Sequence, residues 1–215
     1  RAGEAGATAE LLDTARIGVD QLAETVDEIL DVARVEAGEL RLACEPVDVR
    51  RLVDDSLARW RGRAADRAVR IEVRGGGAGP VLADRGRLRI VLDNLVDNAI
   101  KYSPGDGVIE IEVAPADGPP RAAGGAARAE RIAVTVRDHG PGIPPEFRRR
   151  VFDKFFRVED HRRRPGDAPH GTGIGLYLCR ALVELHGGTI DCDAPPGGGA
   201  RLRVEIPTSL HNTAS

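Results

Sequence analysis

The chain has 215 residues, a formal net charge of -3 and an isoelectric point near 6.0, a size that suits one well-buried domain with an appendage and a charge balance that gives no basic field for wholesale nucleic-acid binding. Its three cysteines, Cys44, Cys179 and Cys192, are far apart and odd in number, which fits neither a disulfide framework nor a paired zinc site and points to a reducing cytoplasm. No apolar run approaches the roughly 18 residues of a membrane span, and the start lacks a basic-then-apolar signal, so this segment is expected to make no membrane contact of its own.

The chain opens at Arg1 and contains no methionine, so a longer parent is expected. From Thr8 to Ala37 the apolar positions Ala15, Val19, Leu22, Val26, Ile29 and Ala33 recur at alternating spacings of four and three, the seam of a long helix that packs on partner helices. Leu12 and Leu30 widen the stripe, and Gly38 supplies a stop. A second helix is predicted over Val49 to Ala65, followed by an alternating strand from Val69 to Val73 and a break at Gly75, Gly76 and Gly77.

A short apolar piece, Val81 to Ala83, leads into a strong helix from Arg85 to Tyr102 and a strand from Val108 to Val113. The segment Ala114 to Glu130, rich in Gly, Pro and Ala, reads as a disordered surface insertion joining that strand to a neighbour over Ile132 to Val136. A short helix is expected after Pro144 and Pro145, then a polar stretch from Val158 to His170, then a helix from Thr172 to His186 ended by Gly187 and Gly188. Strands over Thr189 to Cys192 and Arg201 to Ile206 close the pattern, an α/β layer structure with a helical arm in front.

Four segments carry candidate chemistry. On the helix Arg85 to Tyr102, the residues Asn94, Asn98 and Lys101 lie within about 60° of one face, offering an oxygen ligand for a hard cation and a cation for phosphate. Next is Asp138-His139-Gly140-Pro141-Gly142-Ile143 at a strand end. Its carboxylate can accept a hydrogen bond from an exocyclic amine, although taken alone the segment reads first as a plain turn. Third is Gly171-Thr172-Gly173-Ile174-Gly175-Leu176, glycine-rich backbone opening a helix, a natural phosphate cradle. It has neither the dinucleotide spacing nor a Walker lysine. Fourth is Phe152-Asp153-Lys154-Phe155-Phe156-Arg157, in which Phe152 and Phe155 read as packing residues and Arg157 as a group able to reach phosphate oxygens. The later Arg162, Arg163 and Arg164 read as solvated loop charge.

In this order the four segments resemble the catalytic domain of sensor histidine kinases, within the ATPase group that includes the Hsp90 chaperones, MutL repair proteins and type II topoisomerases. Asp93-Asn94-Leu95-Val96-Asp97-Asn98-Ala99-Ile100-Lys101-Tyr102-Ser103 is similar to that family's asparagine box, Asp138 to Gly142 to its first glycine box, Phe152 to Phe156 to its aromatic box and GTGIGL at Gly171 to Leu176 to its second glycine box. Ile29 to Leu40 resembles the end of the second helix of the kinase dimerisation domain, so the resemblance covers nearly the whole chain.

The resemblance implies a two-layer sandwich of a mixed sheet and helices, preceded by a helical arm, with residues 1–40 as a partial dimerisation helix, 41–208 as the ATP-binding domain and 209–215 as a tail. It implies ATP and Mg²⁺ as ligands, with Asn94 and Lys101 catalytic. Asn94 holds Mg²⁺, Asn98 and Lys101 contact phosphates, Tyr102 lines the pocket and Asp138 binds the adenine amine. Gly140, Gly142, Ile143, Phe155, Arg157 and the run Gly171, Thr172, Gly173, Ile174, Gly175 and Leu176 complete the nucleotide site. The implied partners are a response regulator receiver domain and a second copy through the dimerisation helices of the parent, with no nucleic acid. The implied location is the cytoplasm, whether the parent is cytoplasmic throughout or a membrane receptor.

Departures from the family pattern are Ile90, which stands where these kinases often carry a glutamine or glutamate, and Gly197-Gly198-Gly199-Ala200, a loose match to the last glycine motif. None of His139, His161, His170, His186 and His211 has the phosphoacceptor context, so each reads as a loop, cap or tail histidine. The acceptor helix is therefore expected upstream. An anti-sigma-factor-type serine kinase and a degenerate, non-catalytic docking module are the alternative readings, against which stand the arm and the intact Asn94, Lys101, Asp138 and Gly171 to Gly175.

Overall fold

A computed structural model of the chain describes residues 2–76, 79–117, 130–158 and 171–209, and it divides into two compact units, Arg1–Leu40 and Arg41–Ser215. The first is a single helix, α1 (Ala2–Glu36), about 50 Å long at 1.5 Å per residue. It starts six residues earlier than Thr8, because Ala2, Glu4, Ala5 and Ala7 ahead of Thr8 are good helix formers. It stops as predicted: Gly38 takes φ +66°, and the N–H of Glu39 turns back to the carbonyl of Arg34 at 2.9 Å. The apolar seam is exposed, with Val19 and Leu22 both at 65%.

In the second unit, α2 (Val49–Ala65) begins where Asp48 accepts a hydrogen bond from the N–H of Arg51. It buries Leu52, Val53, Trp60 and Ala64. The strands are β1 (Glu45–Val47), β2 (Arg70–Gly75), β3 (Val81–Ala83), β4 (Val108–Asp117), β5 (Glu130–Arg137), β6 (Thr189–Asp193) and β7 (Arg201–Pro207). A five-stranded sheet has the order β2-β4-β5-β7-β6, and only the β2–β4 pair is parallel. β1 and β3 form a separate antiparallel pair, and β1 has too few residues to carry a pattern in the sequence.

Alternation along the sheet separates two faces. Ile109, Ile111 and Val113, then Ile132, Val134 and Val136, then Leu202, Val204 and Ile206 are all buried. The helices α2, α3 (Arg85–Tyr102) and α4 (Gly175–Leu185) pack on the sheet and on one another. Many of the intervening strand residues are charged, and some pair with each other, as in Arg137 with Glu110 at 3.5 Å and Arg203 with Glu205 at 2.8 Å. The architecture is the two-layer α/β sandwich with a mixed sheet that the sequence implied.

Other boundaries also differ from expectation. Residues 114–117 and Glu130, read as linker, extend β4 and β5, because their backbone continues the antiparallel ladder to Asp117 opposite Glu130. Only residues 118–129 of that segment lie outside the described structure. The helix expected after Pro144 and Pro145 is two short 3₁₀ turns, Pro145–Phe147 and Arg150–Phe152. And α4 starts three residues after Thr172, since Gly173 takes φ +71°, outside the helical range.

Candidate functional site

Helix α3 divides its surface among three neighbours. Leu88, Leu92, Leu95 and Ala99 are buried in the core, as the apolar periodicity predicts. Asp93 and Asp97 face α2: Asp93 Oδ1 accepts from Arg59 Nη2 at 2.6 Å and from the indole N–H of Trp60 at 2.7 Å, and Asp97 accepts from Arg63 at 2.7 Å. Asn94, Asn98 and Lys101 remain on the third side, each half-buried. Asn94 commits its Nδ2 to the carbonyl of Ile90 at 3.1 Å, which turns Oδ1 outward as the free acceptor.

The two glycine motifs converge on this side of α3. A Cβ at Gly175 would lie 2.3 Å from Asn94 Oδ1, and one at Gly171 would lie 2.5 Å from Lys101 Nζ. Only glycine permits such approach. At the C-terminal end of α3, a Cβ at Gly140 would lie 2.4 Å from the carbonyl oxygen of Tyr102, so the Asp138 turn closes against the helix end. Lys101 Nζ stands 5.5 Å from the Tyr102 ring centre, and Tyr102 is 38% exposed.

Asp138 follows β5 directly and is 7% exposed. Its Oδ1 accepts from the N–H of Gly140 at 2.8 Å and from the N–H of Ala200 at 3.1 Å. Burial holds its carboxyl above the ordinary carboxylate value, even though both backbone donors and His139 pull the other way. The sequence marks Ala200 only as the last residue of Gly197-Gly198-Gly199-Ala200, not as a partner of Asp138. Its only signal is the preceding run Gly197-Gly198-Gly199, which matches the family motif loosely. Here Gly199 has φ +82° and sits so close to the Asp138 carbonyl that no side chain fits, and Gly142, at φ +74°, packs against Gly199 in turn.

The phenylalanine segment borders the second glycine motif. Phe155 N–H donates to the carbonyl of Gly173 at 3.0 Å. Phe152 is buried as expected, but Phe155 is 65% exposed with φ +63°, which corrects its reading as a packing residue. The local cause is this hydrogen bond to Gly173, which holds the Phe155 backbone in the left-handed region and leaves its ring outside the core. Its neighbour Phe156 instead contacts Phe147 at 5.6 Å, beneath the guanidinium of Arg150. Ile143 is half-buried, and its carbonyl accepts from Arg148 Nε at 3.2 Å. Arg157 is exposed. Thr172 Oγ1 accepts from the N–H of Ile174 at 3.2 Å. Ile174 is 3% exposed, its side chain in the core, while Leu176 is half-buried.

The arrangement gathers the Asp138 carboxylate, the Lys101 ammonium, the Asn94 amide oxygen and glycine backbone along one side of α3. That set of groups matches a purine base and its charged phosphate tail. Among the described residues, no cluster of three or more His, Cys, Asp or Glu side chains forms a metal cage. Magnesium suits such a place, because it is commonly held by few protein oxygens together with substrate phosphates and water. His139 pairs with Glu110 on the charged face of the sheet at 3.1 Å, and His186 is a buried cap on α4. His161, His170 and His211, with Arg162, Arg163 and Arg164, lie outside the described residues. The three cysteines form no disulfide, and burial raises the thiol pKa of Cys192 to about 11. Among the described residues, no helix is long and apolar enough to cross a membrane.

The chain is similar to known proteins over most of its length. Residues 83–210 match the family described as histidine kinase-, DNA gyrase B-, and HSP90-like ATPase. The sensor protein KdpD of Mycobacterium tuberculosis is 33% identical over 93% of this chain and 21% of its own length. The signal transduction histidine-protein kinase/phosphatase MprB of the same organism is 35% identical over 88% of this chain and 34% of its own. The crystal structure of full-length ShkA in complex with AMPPNP superposes with a TM-score of 0.72 at 28% identity, covering 89% of this chain and 37% of that one. The chain thus spans a fifth to about a third of the two curated relatives.

Proposed function

Because the chain belongs to the histidine kinase-, DNA gyrase B- and HSP90-like ATPases, as a histidine kinase ATPase domain of two-component systems, we propose that it binds Mg²⁺-ATP and donates the γ-phosphoryl group to a histidine. That histidine lies on a dimerisation domain of the parent, from which the phosphoryl group passes to an aspartate of a response regulator. The observation that carries the reading is the meeting of Gly175 with Asn94 Oδ1 and of Gly171 with Lys101 Nζ. Two motifs whose paired residues lie 70 and 81 positions apart thereby form one cradle. Residues 1–40 are read as part of the second dimerisation helix, 41–208 as the catalytic domain and 209–215 as a tail. The exposed seam of α1 supports pairing with helices of a second copy.

In this reading Asp138 accepts the adenine amine and thereby fixes the orientation of the base. Gly140, Gly142 and Ile143 form the wall beside it. Asn98, Lys101 and the backbone from Gly171 to Gly175 position the phosphates, while Tyr102, Phe155 and Arg157 border the opening. Asn94 Oδ1 is the residue that would hold Mg²⁺, whose charge offsets that on the phosphate oxygens. An imidazole nitrogen forms a bond to the γ-phosphorus as the bond from phosphorus to the bridging oxygen of ADP breaks. Lys101 stabilises the negative charge on the transferred group, a role that needs positioning more than covalent chemistry.

The test mixes the chain and Mg²⁺-ATP with a separate phosphoacceptor domain of its parent, alongside an Asn94→Ala control. Acid-labile label on the acceptor with the wild type alone is the expected result. No transfer to the acceptor, or phosphohistidine formed on this chain by itself, would overturn the assignment.

A further inference from the structure

A second polar groove lies where α2 crosses the start of α3. It has a volume of about 180 Å³ and is lined by Leu52, Asp55, Ser56, Arg59, Arg85, Gly86 and Arg89. Its charge is positive. Arg85 Nη2 bonds Asp55 at 2.7 Å and Arg59 Nη2 bonds Asp93 at 2.6 Å, while Arg89 is exposed and makes no ion pair among the described residues. Three guanidiniums thus stand against two carboxylates.

Each of the two paired arginines commits one terminal nitrogen, and a guanidinium carries five N–H donors. Their carboxylate partners hold the side chains in place over the groove and leave the other donors available. Ser56 supplies an independent sign of a ligand. It is 3% exposed, it lines the groove, and its hydroxyl takes part in no hydrogen bond of the described residues. A hydroxyl on a residue this nearly buried usually finds a partner, and the Ser56 hydroxyl is open only to the groove that it lines. Leu52, 2% exposed, forms the apolar wall beside it, which strengthens any charge interaction within the groove.

We propose that this groove binds an oxyanion, a phosphate or carboxylate group that accepts from the Ser56 hydroxyl and from the guanidiniums of Arg85, Arg89 and Arg59. The ligand is either a small free anion or an acidic side chain presented by another protein. The site is separate from the nucleotide cradle: it uses the side of α3 that carries Arg85, Arg89 and Asp93, whereas the cradle uses Asn94, Asn98 and Lys101.

The test is a two-dimensional amide NMR titration of the whole chain at constant ionic strength. Inorganic phosphate, a capped tetraglutamate peptide and sodium chloride are the three probes, and the backbone signals of Ser56, Arg59 and Arg85 to Arg89 are followed. Saturable shifts with phosphate identify a free anion as ligand, and saturable shifts with the peptide alone identify an acidic side chain. Either is expected to weaken at least fivefold in Arg89→Gln and in Ser56→Ala, and to be unchanged in Arg74→Gln, which alters an arginine on the sheet. Both variants should fold, since Arg89 is exposed and Ser56→Ala removes a hydroxyl without a partner. Shifts that match the chloride control for both probes, or that survive both groove substitutions, would overturn the proposal.

Discussion

The backbone N–H of Asp84 donates to Nε2 of His186 at 3.0 Å, across 102 positions of sequence. Asp84 caps α3 through its side chain, which accepts from Arg87 N–H and Ala43 N–H, each at 3.0 Å. His186 Nδ1 in turn donates to the carbonyl of Leu182 at 2.7 Å, at the end of α4. One neutral imidazole therefore ties the start of the helix carrying Asn94 and Lys101 to the end of the helix that the second glycine motif opens.

That tie makes stability pH-dependent. Burial lowers the affinity of His186 for a proton below the usual imidazole value, with the Leu182 carbonyl and Asp84 opposing more weakly. The unfolded chain consequently takes up this proton first as pH falls through about 6.5, and stability declines from there down to the folded-state value. Urea denaturation at pH 7.5 and 5.5 should show a loss on acidification that is smaller in His186→Gln.

Asp138→Asn separates binding from folding. Its oxygen can still accept from Gly140 and Ala200, and removing a charge that burial disfavours relieves the fold. The outward oxygen, however, becomes an amide nitrogen that cannot accept from adenine. A hydrogen bond to a charged group contributes about 1.5–3 kcal/mol, so calorimetry should show ATP affinity falling about 10- to 100-fold, with the thermal midpoint held or raised.

The two glycine motifs should respond differently to alanine. Gly140→Ala drives a methyl into the rigid Tyr102 carbonyl, and overpacking of this kind costs about 1–3 kcal/mol of stability. Gly175→Ala meets the movable Asn94 side chain, and alanine favours the helix end by up to about 1 kcal/mol. Thermal melts should separate the two variants. Nucleotide titration of Gly175→Ala should show a loss of about tenfold or more, equivalent to about 1.4 kcal/mol.

Trp60, the chain's one tryptophan and fully buried, reports on the α2–α3 contact. Asp93→Ala leaves its indole N–H unpaired, which costs about 1–3 kcal/mol, whereas the half-exposed Arg59 partner adds little. Urea melts followed by tryptophan fluorescence should show that loss.

The periodicity of α2 and α3 and the alternation of the strands were legible in the sequence, because one face of each is buried and the other is not. The cradle was legible as separate motifs, since Asn94 and Lys101 share a helix face. What periodicity could not express was contact between distant backbones. Ala200 meets Asp138 through its N–H, which any residue carries. Phe155 looks like core by composition, yet its backbone bond to Gly173 holds the ring outside.

The eight residues of β5 run from Glu130 to Asp138's doorstep, a span of about 25 Å at the rise of an extended strand. The connection between β4 and β5 therefore leaves the sheet at the end remote from the carboxylate. A reporter peptide grafted between Asp117 and Glu130 should therefore leave the hydrogen bonds of Asp138 to Gly140 and Ala200 undisturbed.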